Sequence, residues 1–177
     1  MIEAMEPRLN GPRPIAGTIG LTFGGLWSSL GASGLPLGWR LPIEALGGLV
    51  TLALVAVLWT RRGSVGAGRG LFRRKGYIIA VALEIVAIYA ASALLPHYGL
   101  QSYLIETVGV IVGLHFIGLW QATRRPAFLW ISGCMCGVSV VSAFMPPAIG
   151  EFGPRMIVAG FGNALVLWLG AGWRSPR

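Results

Sequence analysis

Two ionisable residues stand in apolar surroundings where a charge is expensive. Glu84 lies within Ile78-Ile79-Ala80-Val81-Ala82-Leu83-Glu84-Ile85-Val86, and His115 within Ile111-Val112-Gly113-Leu114-His115-Phe116-Ile117. A charged side chain near the centre of a bilayer costs about 2.5–3.5 kcal/mol on insertion scales, so each such residue needs a partner or a task. The chain between them turns around Gly99 and Leu100. In an antiparallel hairpin, residues equidistant from the turn lie at one depth, and Glu84 and His115 are such a pair, roughly 10–12 Å inside the cytoplasmic ends of their helices. A carboxyl group beside an imidazole can pass a proton to it, which is the start of a relay. The same pair would serve as a buried hydrogen bond that holds the hairpin, and the sequence leaves both readings open.

Glu44 and Glu106 occupy matching positions about one turn inside the outer ends of two other apolar segments. One reading is interfacial anchoring, with stabilisation of the helix N-terminus by a negative charge. The other is an outward-facing acidic vestibule that concentrates cations, with Glu151 on the same side. His97, between Pro96 and Tyr98, reads as a solvated loop residue, and Asn163 as a donor or acceptor across helices. Cys134 and Cys136 are two residues apart, roughly 200° around a helix, which suits neither a disulfide nor a metal pair. No Cys or His cluster has metal-ligand spacing, and no serine has a credible base or oxyanion site. No cofactor, metal or catalytic residue is therefore assigned, and an enzyme is not the expected class.

The elements that must position these residues follow from composition. Of 177 residues, 55% are hydrophobic and 11% charged, against about 25% charged in an ordinary soluble domain. Too few polar residues remain to cover a globule, so the bilayer is expected to cover this one. Apolar stretches of the length that crosses a ~30 Å hydrocarbon layer fall at 15–35, 41–60, 76–95, 101–121, 127–146 and 155–173. Pro36, Pro42, Pro96, Gly99, Pro126, Pro146, Pro147 and Pro154 are expected between segments, because proline breaks helices and glycine permits turns. The fold class expected is all-α: one integral membrane domain over 1–177, a six-helix transmembrane bundle.

Charge sets the orientation. All of the 14 lysines and arginines except Arg40 and Arg155 fall in the N-terminal tail, the 61–75 loop, the 124–125 loop or the C-terminus. Basic residues stay on the cytoplasmic side of short loops, so both termini are expected there, with Trp59, Trp120, Trp130, Trp168 and Trp173 as an interfacial belt. The polar stretch Met1–Pro14 does not read as a cleavable signal peptide. The net charge of +8 is expected to meet anionic lipids at the Arg61–Lys75 loop rather than nucleic acid, since the bases cluster between apolar segments.

Internal similarity suggests three repeated helical hairpins. Odd-numbered segments end in Ser33-Gly34-Leu35-Pro36, Ser92-Ala93-Leu94-Leu95-Pro96 and Ser142-Ala143-Phe144-Met145-Pro146; even-numbered ones run from Ile43-Glu44 to Trp59 and from Ile105-Glu106 to Trp120. Stacked hairpins of this kind would give pseudo-threefold order. Gly20/Gly24, Gly109/Gly113 and Gly133/Gly137 have the four-residue spacing that lets helices approach closely, either within the bundle or towards a second copy or a membrane partner.

The run Ile111-Val112-Gly113-Leu114-His115-Phe116-Ile117-Gly118-Leu119, preceded by Glu106, resembles families of small multi-spanning bacterial membrane proteins with no established activity. The resemblance implies a bacterial inner membrane and draws attention to His115. The function expected is movement or sensing of a small solute or proton through Glu84 and His115, with Glu106 towards the outside. The alternative is a non-catalytic scaffold or accessory subunit.

Overall fold

The computed structural model describes residues 15–60 and 75–172. Six α-helices account for nearly all of them: α1 (Ile15–Ala32), α2 (Leu37–Thr60), α3 (Lys75–His97), α4 (Leu104–Thr123), α5 (Ala127–Ala143) and α6 (Pro154–Gly172). A single 3₁₀ turn, Gln101–Tyr103, leads into α4. No strand forms among the described residues; the one β-bridge joins Ile149 and Phe152 in the α5–α6 connection, around Gly150 at φ 59°.

Local chemistry explains the helix ends. At the C-terminus of α3, Leu100 N–H donates to Leu95 C=O (2.8 Å) and Gly99 N–H to Pro96 C=O (3.1 Å), with Gly99 at φ 69°. This is a Schellman closure, which satisfies carbonyls that the helix itself leaves bare and needs a left-handed residue that glycine supplies without strain. At the other end of α4 the left-handed residue is Arg124 (φ 57°), whose guanidinium lies 5.6 Å from the centre of the Trp120 ring. A cation beside a helix C-terminus and over an indole face is favourable on both counts.

Three prolines depart from the expectation that all of them separate segments. Pro42 lies inside α2 and Pro96 is the penultimate residue of α3. Helix α2 starts at Leu37, immediately after Pro36, so the N–H that Pro42 lacks falls in the second turn, where one missing bond interrupts little of the helix. Pro154 begins α6 rather than preceding it; at a first helical position its missing N–H has no intrahelical acceptor to lose.

Helices α2, α3, α4 with its 3₁₀ lead and α6 (Leu37–Thr60, Gly76–His97, Gln101–Thr123 and Pro154–Ala171) are long and apolar enough to cross a membrane. The 17 residues of α5 are apolar but shorter. The helices pack in the order α3, α4, α5, α6, α1, α2. Facing pairs run antiparallel: in α1–α2 Gly17 faces Leu58 and Gly25 faces Thr51, and in α3–α4 Gly76 faces Ala122 and Gly118 faces Ala80. Three consecutive hairpins are therefore present. They do not close into a ring, because α2 and α3 stand at opposite ends of the series with no seam between them among the described residues, and the expected threefold order stays open.

The core lies along α1, α4, α5 and α6, where Trp27, Val112, Ile131, Met135, Ala164 and Leu167 cluster. By contrast Leu41, Leu49 and Leu52 on α2 and Ile79, Leu83 and Val86 on α3 are all more than half exposed. Apolar faces of that extent mark contact with a membrane or another protein. The closest helix approach is α1 on α6: a Cβ at Gly160 would overlap the backbone of Gly31, and Gly153 N–H donates to Gly34 C=O at 2.7 Å. Of the six glycines with four-residue spacing, Gly24, Gly109 and Gly113 face neighbouring helices, whereas Gly20, Gly133 and Gly137 face open space.

Candidate functional site

The hairpin α3–α4 brings Glu84 and His115 together. Gly118 against Ala80 and Gly76 near Ala122 remove bulk from this interface, so the helices lie close enough for the two longer side chains to meet. His115 Nδ1 and Glu84 Oε2 are 3.3 Å apart, with the side chains 10% and 18% exposed. That is ion-pair distance, but Nδ1 makes no hydrogen bond. The atoms are in reach of one another and out of alignment, so a modest rotation of either side chain would make the bond along which a proton could pass.

Glu106 does not join them. It is nine residues before His115 on α4, about half a turn round the helix and roughly 13 Å along it. There it faces α5 and α6 and is buried, with Oε1 3.5 Å from Arg155 Nε. Arg155, the second residue of α6, is the functional-looking residue that the sequence reading treats only as a topological outlier. Its guanidinium donates to Met145 C=O (3.2 and 3.0 Å), Ala143 C=O (3.3 Å) and Ser102 C=O (3.3 Å) and lies 4.4 Å from the centre of the Tyr103 ring. It thus ties the C-terminus of α5 to the 3₁₀ lead of α4 from the start of α6. Nothing in the sequence marks backbone carbonyls as its partners; the available signal is a lone arginine at the head of a span, level with a glutamate in another.

Deeper in the same α4–α5–α6 seam, Asn163 Nδ2 donates to Ser139 Oγ at 3.2 Å. Gly109 permits this, since a Cβ there would overlap both side chains. Ser142, one turn from Ser139, is fully buried and donates to Ser139 C=O at 2.8 Å.

The remaining candidates stand apart. Glu44 pairs with Arg40 four residues earlier at 3.1 Å, on α2, which does not pack on α4. Glu44 and Glu106 therefore line no common vestibule: Glu44 is paired with Arg40 and Glu106 with Arg155, and Glu106 is shut in. Glu151 is exposed in the α5–α6 connection. His97 meets Tyr98 edge-on in the α3–α4 turn, with ring centres 5.2 Å apart. Cys134 is exposed, while Cys136 Sγ lies 3.7 Å from Val110 C=O. Among the described residues no three His, Cys, Asp or Glu side chains gather as metal ligands would. The basic residues Arg61–Arg74 expected to meet anionic lipid, and Trp173 of the expected belt, lie outside the described residues.

A scan of protein-family models, a search of curated proteins and a search of solved structures each gave no match. The resemblance read in Ile111–Leu119 gains no support from them.

Proposed function

We propose that this chain is a small multi-pass protein of a bacterial inner membrane that handles protons, or a small solute coupled to them, through Glu84 and His115. The supporting observation is the 3.3 Å approach of two ionisable side chains in apolar helices. A charged pair and a neutral pair of these groups hold the same number of protons, so the proton can cross between them with no change in net charge at the site. Helix α3 packs only on α4 and its 3₁₀ lead among the described elements, so the state of the pair acts directly on the one seam that holds α3. In this reading all six helices cross the bilayer, α1 and α5 included. Both termini are cytoplasmic, as the distribution of basic residues favours, and the Arg61–Lys75 loop meets anionic lipid.

Proton entry into proteoliposomes under an imposed pH gradient tests the proposal. Wild type is expected to leak more than empty vesicles, and His115→Ala to return the leak to their level. Equal tightness of all three would remove the proton route.

A second reading, a scaffold or accessory subunit, is favoured by the Arg155 clasp, which makes four hydrogen bonds to backbone carbonyls, and by the open Gly133/Gly137 face of α5. In that reading Glu84 and His115 only hold a hairpin, and the open face takes a partner helix or a second copy.

A further inference from the structure

We infer that the outer half of the α4–α5–α6 seam holds a bound water molecule between Glu106 and Asn163. The two residues are 4% and 0% exposed, and each has one oxygen without a hydrogen-bond donor: Oε2 of Glu106 and Oδ1 of Asn163. Gly109, three residues after Glu106 on α4, abuts Asn163, so the two acceptors open into one seam about one helical turn apart. A buried acceptor left without a donor costs about 1–3 kcal/mol, and protein interiors meet that cost with waters that bridge two to four polar groups.

No side-chain donor makes a hydrogen bond to either oxygen. Ser142 Oγ–H donates to Ser139 C=O and Asn163 Nδ2 to Ser139 Oγ. Turning the Asn163 amide over would not remove the need, since its nitrogen would then be the atom without a partner. Charge selects water over a cation. Arg155 already balances Glu106 at 3.5 Å, so an added cation would bring an unpaired buried charge at a penalty of several kcal/mol. The site lies on the face of α4 opposite His115 and does not depend on the proton reading.

Radiolytic labelling by a millisecond X-ray pulse tests it with the full chain in lipid nanodiscs. Hydroxyl radicals formed from bulk water oxidise exposed side chains, whereas those formed from a bound water oxidise its buried neighbours. Met135, fully buried and one turn from Ser139 on α5, is the reporter, and the exposed Tyr98 is the internal standard. Met135 is expected to be oxidised in the same pulse as Tyr98, and Asn163→Leu to lower that oxidation at least several-fold. An unlabelled Met135 beside a labelled Tyr98 in the wild type would overturn the inference, as would labelling unchanged in Asn163→Leu. The wild-type result decides alone if the variant does not fold.

Discussion

Arg155 occupies a position that helix electrostatics alone disfavours. A cation in the first turn of α6 opposes the positive end of that helix, at about 0.3–1 kcal/mol. The same guanidinium sits at the negative end of α5, where the Ala143 and Met145 carbonyls accept from it, and beside the buried Glu106 carboxylate. Removing one partner of a buried pair leaves the other uncompensated, so Arg155→Gln is expected to destabilise the bundle by about 3–5 kcal/mol. Arg155→Lys is expected to recover only part of this, because an ammonium lacks the planar fork that reaches three carbonyls at once. Unfolding in mixed detergent measures both; an unchanged midpoint for Arg155→Gln would contradict this role. The residue scale was half legible beforehand. Glu84 and His115 could be paired by counting from Gly99, because a tight turn fixes hairpin register. Arg155 could not be placed, because its partners are backbone groups that every residue carries. For Glu106 linear position gives depth, while the identity of the facing helix, α6 with Arg155, comes only from packing.

Between elements, glycine decides which helices touch. At Gly160 a Cβ would meet the Gly31 backbone, which cannot move aside as a flexible side chain can, whereas Gly133 and Gly137 have nothing within 4 Å. Gly160→Ala is therefore expected to force α1 from α6 and destabilise by about 1–3 kcal/mol. Gly133→Ala and Gly137→Ala are expected to be neutral or to gain up to about 1 kcal/mol from higher helix propensity. The same unfolding assay separates them, and equal effects at Gly160 and Gly133 would contradict the assigned packing. A substantial loss at Gly133 or Gly137 alone would instead show that this face of α5 is covered by another chain. Spacing in the sequence found the glycines but not their roles, since Gly133/Gly137 and Gly109/Gly113 share one pattern and differ only in what stands opposite. Helix positions were legible to within a few residues because apolar length and turn chemistry are local. Pro42 and Pro96 lie within helices because each removes only one bond, to the C=O of Gly38 or of Ser92, within two turns of a helix end.

Across the whole molecule, the order α3, α4, α5, α6, α1, α2 leaves Glu84 and His115 in the end hairpin and the Arg155 clasp in the centre. In the proposed function the centre stays fixed and the end hairpin, held by one seam, is the part that changes. If all six helices cross, as proposed, the 61–75 connection shares a side with both termini; reporter fusions there are then expected to read cytoplasmic, with fusions at the 98–103 and 144–153 connections reading external. An external 61–75 connection would invert the topology. The proposed orientation rests on the bias of the basic residues alone. The sequence held no sign that the three hairpins would form an open series, since similarity among repeats says nothing about which seams close. The most direct test of the proton route is a charge swap assayed by proton flux into proteoliposomes. Glu84→Gln and His115→Ala are each expected to fall to the level of empty vesicles, and the double variant Glu84→His with His115→Glu, which rebuilds the pair in reverse, is expected to recover flux towards wild type. Wild-type flux no greater than that of empty vesicles, or full flux in either single variant, would contradict the assignment of Glu84 and His115 as the residues that pass the proton.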